Sequence, residues 1–183
     1  EARLGEVLSG DYTTEEHFLL EGEVEGHDEV PCALNEILIH SVNMPKMIEV
    51  ELYVNDQFVY TLNSDGLIVS SPTGSTAYAL SAGGPIMHPS LDAIVLVPMF
   101  PHSLNNRPLV VPGGDEIRIV IGSDTQMKAK VSFDSHLEFQ IEPGDSLLIR
   151  KKPERLVLVH PPGHSFYGVC KSKLDWASRN TNR

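Results

Sequence analysis

Lysine and arginine are absent from Met47 through Asn106, a third of this 183-residue chain. A side-chain grip on a triphosphate needs at least one cation, so a site in this span must bind something else. The whole chain is short of positive charge: 25 acids stand against 14 Lys and Arg, for a net −11. Nucleic-acid surfaces need clustered cations to neutralise phosphate, so that partner class is not expected. Cysteine is scarce too. Cys32 and Cys170 are too few and too far apart for a disulfide framework or a zinc site. They read as thiols in a reducing, cytoplasmic compartment. No apolar run is long enough to cross a bilayer. The first residues, EARLGEVLSG, have neither a basic n-region nor an apolar h-region, so no signal peptide is expected there, and the missing initial Met reads as a fragment or processed product.

What is present is period-two patterning. Ile48, Val50, Leu52 and Val54 alternate with Glu49, Glu51 and Tyr53. Asn55-Asp56 then separates this run from FVYTL, which predicts a hairpin over 47–62. Ile117, Ile119 and Ile121 alternate, as do Ala129, Val131 and Phe133, and then Leu137, Phe139 and Ile141. SLLIRKK and RLVLVHP read as two further strands. Turn residues such as Gly113-Gly114-Asp115 and Pro143-Gly144-Asp145 separate the runs. Short strands at this spacing predict one mainly β, sandwich-like domain over 1–183. Short helices are expected in ARLGEVLS, in TAYALSA behind a Ser75 or Thr76 cap, and in YGVCKSKLDW.

The densest feature is SDGLIVSSPTGSTAYALSAGGP, Ser64 to Pro85. It is no P-loop: Gly66 and Gly74 are wrongly spaced, and Ser75 stands where the lysine belongs. It lacks the G-x-G-x-x-G of a dinucleotide turn and the G-x-S-x-G of a nucleophile elbow. It offers hydroxyls, glycines, the Tyr78 ring and the Asp65 carboxylate. Such groups suit an uncharged ligand surface, a purine edge or a ribose, with the ring as a stacking platform. A Ser/Thr-rich turn that only caps a helix has the same composition. Asn35-Glu36 is a second polar pair, set against an apolar strand, and reads equally as a turn or strand-edge pair.

Taken together, these residues resemble the NAD kinase family. DGLIVSSPTGSTAYALSAGGPI resembles its signature, and the likeness extends through HPSLDAIVLVPMFPHSLNNRPLVVP, the LNE before it, FDS near Asp134 and the final YGVCKSKLDW. The resemblance implies the β-rich C-terminal domain of a two-domain, bacterial-type enzyme that phosphorylates the adenosine-ribose 2′-hydroxyl of NAD with ATP, giving NADP. It implies that Asn35 and Glu36 contact the adenosine half of NAD. Thr73, Thr76, Ala77 and Tyr78 would surround adenine and ribose, with Ser81 and Asp65 near the nicotinamide end. In the family that Asp comes from a neighbouring subunit, which implies a homo-oligomer, dimer or tetramer, with a shared site. The catalytic Gly-Gly-Asp-Gly motif of the other domain is not found; Gly113-Gly114-Asp115 is followed by Glu116 and reads as a turn. ATP and its divalent metal, Mg, would then be held mainly by that other domain, and this chain alone would be inactive. A non-catalytic nucleotide-binding module and a lobe of a related lipid or sugar kinase are the alternatives.

Two positions depart from the family pattern. Ser71 stands where Thr is commoner, and His136 where Gln is. The histidines show no H-E-x-x-H or paired spacing, so no metal site is expected within the chain. His102 and Arg107 remain weaker candidates for phosphate or structural contacts, and His136 for a ligand contact. No membrane association is expected.

Overall fold

The computed structural model describes residues 2–42, 47–103, 105–123 and 128–176. Among these residues twelve strands run in chain order: β1 Thr13–Val24, β2 Cys32–Ala33, β3 Glu36–Ser41, β4 Ile48–Val54, β5 Gln57–Ser64, β6 Gly66–Ser70, β7 Ala93–Met99, β8 Leu109–Pro112, β9 Ile117–Ile121, β10 Ala129–Phe133, β11 Leu137–Ile141 and β12 Ser146–His160. Three helices, α1 Ala2–Leu8, α2 Tyr78–Ser81 and α3 Phe166–Lys173, and a 3-10 turn Gly74–Thr76 complete the set. The strands form two six-stranded sheets, ordered β2-β1-β12-β9-β4-β5 and β11-β10-β3-β6-β7-β8. The mainly β, sandwich-like expectation is met, and the strand pairs are antiparallel.

The chain clusters into two compact units. The smaller comprises Glu1–Glu16 and Val157–Arg183. In it Ser165 caps α3 by accepting from the Gly168 amide, and Lys171 and Lys173 lie in the last turn, where cations suit the helix dipole. His160 stacks on His164 with ring centroids 3.7 Å apart, and its Nε2 lies 3.2 Å from Glu15.

The larger unit, His17–Leu156, holds the core. Alternation does the sorting: β9 buries Ile117, Ile119 and Ile121 and leaves Arg118 and Val120 partly exposed. These meet Ile37, Ile39, Leu67, Val69, Ile94 and Leu96 of the other sheet. Each such side chain stabilises by roughly 1.5–3 kcal/mol on full burial. β6 does not alternate in burial; all five of its residues are buried. Its second face is covered as well, because Ile68, Val95, Val97 and Met99 pack with Ala79 and Met87 of the segment that follows β6. A strand covered on both faces reads as a continuous apolar run.

The 47–62 hairpin is present, and Asn55 and Asp56 both take positive φ (48° and 60°), the requirement of its two-residue turn. SLLIRKK and RLVLVHP are one strand rather than two. Pro153 does not break β12, and it lies beyond Ser146–Ile149, the part of the strand that pairs with β9, so it removes no bond from that ladder. The helix expected in TAYALSA is one turn, Tyr78–Ser81, preceded by the 3-10 turn. Neither Ser75 nor Thr76 caps it: Ala77 holds the cap position without a side-chain bond. Ser75 is wholly buried instead, donating to Pro72 O at 2.6 Å and accepting from Met87 N at 2.9 Å.

Ser75→Ala should therefore cost about 1–3 kcal/mol, the penalty for leaving buried partners unsatisfied. Urea unfolding measures it, and a loss under about 0.5 kcal/mol would contradict this account of the segment.

Candidate functional site

The site is organised by a carboxylate on a turn. Asp134 and Ser135 take positive φ (47° and 58°) between β10 and β11. From there Asp134 Oδ2 accepts from the Leu34 amide at 2.6 Å, and Oδ1 from the amides of Asn35 and Glu36 at 2.8 and 3.0 Å. The Asp134 amide donates back to Glu36 O at 3.1 Å. Hydrogen bonds to an ionised carboxylate are about twice as strong as neutral ones. One side chain thus fixes the entry to β3.

The same residues are gripped from the other side. Asn35 O accepts from the Ser71 amide at 2.9 Å and from Ser70 Oγ at 3.2 Å. Ser71 Oγ donates to Leu34 O at 2.5 Å and accepts from the Gly74 amide at 3.2 Å. Gly74 has to be glycine: a Cβ there would lie 2.1 Å from Asn35 O. Beyond it, Thr73 Oγ1 lies 2.7 Å from Nδ1 of His17, a buried histidine of β1, and Thr76 donates to Thr73 O at 3.3 Å. The segment then rises into α2, where Tyr78 leaves 44% of its surface exposed.

Glu36 is the unusual member. It is 7% exposed, and its Oε2 finds no hydrogen-bond partner among the described residues. Burial, and then the like charge of Asp134, push its carboxyl up to about 7. At neutral pH it is poised between acid and anion.

The structure brings Asn35, Glu36, Thr73, Thr76, Ala77 and Tyr78 together at one end of β6. His136, exposed, ends the Asp134 turn at the same end. Asp65 sits at the other end of β6, its amide bonded to Met99 O. That strand spans about 17 Å at roughly 3.3 Å per residue. Near the Asp65 end lies a separate groove of about 350 Å³, lined by Ser81, Met99, Phe100 and Arg107 among others. His102 is exposed and bonds through its amide to Asn63 O.

The expected wall of hydroxyls needs correcting. Ser70, Ser71 and Ser75 are wholly buried with their hydroxyls bonded to the protein, so they shape the site rather than line it. Sequence reasoning missed Asp134 and His17 as site residues. For Asp134 there was a signal, an Asp-Ser pair between two alternating strands. For His17 there was none without first recognising β1.

Comparison with known proteins follows the same lines. The ATP-NAD kinase C-terminal domain family matches residues 34–161. The chain is 52% identical to an NAD kinase of Teredinibacter turnerae, over 100% of this chain and 63% of that protein. It is 54% identical to an NAD kinase of Azotobacter vinelandii, over 98% of this chain and 62% of that protein. It thus spans under two thirds of the curated relatives it matches. In fold it is similar to yeast NADH kinase complexed with NADH, with a TM-score of 0.88 and 28% identity over 98% of this chain and 55% of that one. It is also similar to an NAD kinase from Archaeoglobus fulgidus in complex with ATP, with a TM-score of 0.73 and 29% identity over 86% of this chain and 59% of that one.

Two outcomes follow from this geometry. Gly74→Ala should lower stability by more than about 2 kcal/mol, since backbone must move; an unchanged melting temperature would contradict the close approach. Glu36 should also make stability depend on pH. Its folded carboxyl, near 7, lies above the ordinary 4.5, so the folded state holds the proton more tightly. Its contribution is complete below about pH 4.5 and is lost as pH rises through 7, by about 3 kcal/mol in all. Urea unfolding of Glu36→Gln against the native protein should show the variant gaining relative stability from pH 5 to pH 8; a constant difference would contradict the assignment.

Proposed function

The chain belongs to the ATP-NAD kinase C-terminal domain family, and from that premise we propose that it is the NAD-binding part of an enzyme that transfers the γ-phosphoryl of ATP to the 2′-hydroxyl of the adenosine ribose of NAD, giving NADP. The observation that carries this reading is the junction of Asn35-Glu36 with Thr73–Tyr78, a cation-free ledge beside a half-exposed ring. The ring offers a stacking surface to adenine, worth roughly 1–3 kcal/mol. Asn35, Glu36, Thr73 and Thr76 offer donors and acceptors to the base edge and ribose, and Ala77 a small backbone surface. Phosphoryl transfer is chiefly positioning and electrostatics. A part that fixes one ribose hydroxyl while the remainder of the protein handles ATP is a workable division of labour.

Magnesium does not fit the carboxylates of this ledge. A hard cation needs anionic oxygens with open lone pairs. The oxygens of Asp134 are committed to three backbone amides, and Glu36 is easily neutralised. In this reading ATP and its metal are held by the part of the protein outside this chain.

Asp65 stands at the end of β6 opposite the Asn35-Glu36 junction. It is assigned to the ligand site of a neighbouring subunit in a homo-oligomer, with Ser81 toward the nicotinamide end. His136, His102 and Arg107 are secondary, at the two rims. The domain as a whole, 1–183, binds NAD and carries the oligomer contacts. No helix among the described residues is long and apolar enough to cross a membrane. Both cysteines are free thiols, which supports a cytoplasmic setting.

In the full-length protein with ATP, magnesium and NAD, Tyr78→Ala and Asn35→Ala should each raise the KM for NAD about tenfold or more, and the 183-residue chain alone should form no NADP. Failure of the full-length protein to make NADP, or unchanged KM in both variants, would overturn the proposal.

A further inference from the structure

We propose that Asp134 is a positioning residue that fixes the Asn35-Glu36 pair through three backbone hydrogen bonds and whose negative charge adds to burial in favouring the neutral acid form of the Glu36 carboxyl, so that NAD binds here only while that proton is held. The proposal rests on the dinucleotide reading above and specifies the proton state of that site.

The geometry disfavours the Glu36 anion. Its side chain is buried, and Oε2 has no protein donor to satisfy an anion. The groups that face it come from several elements. Across the ladder, β6 presents Ser70, whose hydroxyl is bonded to Asn35 O and Ser71 O. The 71–77 segment contains no titratable side chain. His17 of β1 is held by Thr73, and His136 at the end of the Asp134 turn is exposed. Among the described residues the charge beside Glu36 that adds to burial is that of Asp134, and it is negative. No lysine or arginine occurs from Met47 to Asn106, the span that supplies β6 and the segment after it.

Ligand binding sharpens the contrast. An adenosine on the ledge removes water from Glu36, which penalises the charged form further. The pyrophosphate of NAD adds anionic charge. The neutral carboxyl keeps one O–H donor and one carbonyl acceptor, the complement of a base nitrogen and a ribose hydroxyl. Ionisation breaks that O–H bond, releases the proton to solvent and leaves acceptors only, against two other anions.

Two measurements on the full chain test this. Carbon-13 titration of the Glu36 carboxyl without ligand should give a midpoint near 7, and a lower one in Asp134→Asn, which keeps an acceptor oxygen but not the charge. NAD affinity by calorimetry should be level below pH 7 and weaken up to about tenfold per pH unit above it, as expected for one linked proton; Glu36→Gln should lose that dependence. With Glu36 still buried in the folded variant, a purely structural Asp134 would move neither pH midpoint. Affinity that is flat or strengthens with pH overturns the coupling, and a Glu36 midpoint in the ordinary carboxylate range overturns the role of Asp134. If NAD binds at no pH, the dinucleotide reading and the coupling both fail, while the ligand-free titration still decides the charge effect. The native-protein measurements stand even if Asp134→Asn does not fold.

Discussion

The arrangement depends on one carboxylate bonded to three consecutive amides. Asp134 draws Leu34, Asn35 and Glu36 onto the end of the β10–β11 hairpin, and that segment carries the carbonyls that Ser70 and Ser71 bind. Without it, the first residues of β3 would lose the bonds that tie them to the hairpin, and the carbonyls that the turn after β6 binds would lose their fixed position. The ledge is therefore set by residues roughly a hundred positions apart, and each half holds the other. The same placement isolates Glu36, since the anion that orders its backbone disfavours its own ionisation.

The second constraint is burial on both faces of β6 and β7. The inner face packs into the core between the sheets, and the outer face is roofed by the segment from Ser71 to Met87. A roof over an apolar sheet must satisfy its own backbone internally. Ser71 and Ser75 do this, accepting from and donating to neighbouring amides and carbonyls. Their hydroxyls are consumed by folding, while Thr76 and Tyr78 are exposed and Thr73 turns its hydroxyl to His17. A motif dense in hydroxyls thus divides into a structural half and a presenting half.

Much of this was legible in the sequence. Alternation located β4, β9, β10 and β11, because each has one wet face. Asn55-Asp56 announced its turn through residues that tolerate positive φ. The shortage of cations pointed to a neutral ligand surface. What could not be read depends on distant contacts. β12 runs through Pro153 past the end of its β9 ladder, which no local rule records. Ser75 looked like a cap because capping is what an isolated serine does best, and only the roof over β6 gives it a buried role. Asp134 was visible as a turn residue, but its three amide partners lie on a strand far away in sequence.

The central claim is that adenosine sits on the ledge formed by Asn35-Glu36 and Tyr78, built by Asp134. A crystal structure of the full-length protein with NAD tests it most directly. The account predicts the adenine stacked on Tyr78, with the ribose within hydrogen-bond reach of Asn35 or Glu36. Adenine bound elsewhere, for example in the groove beside Arg107, with the ledge open to solvent, would contradict it.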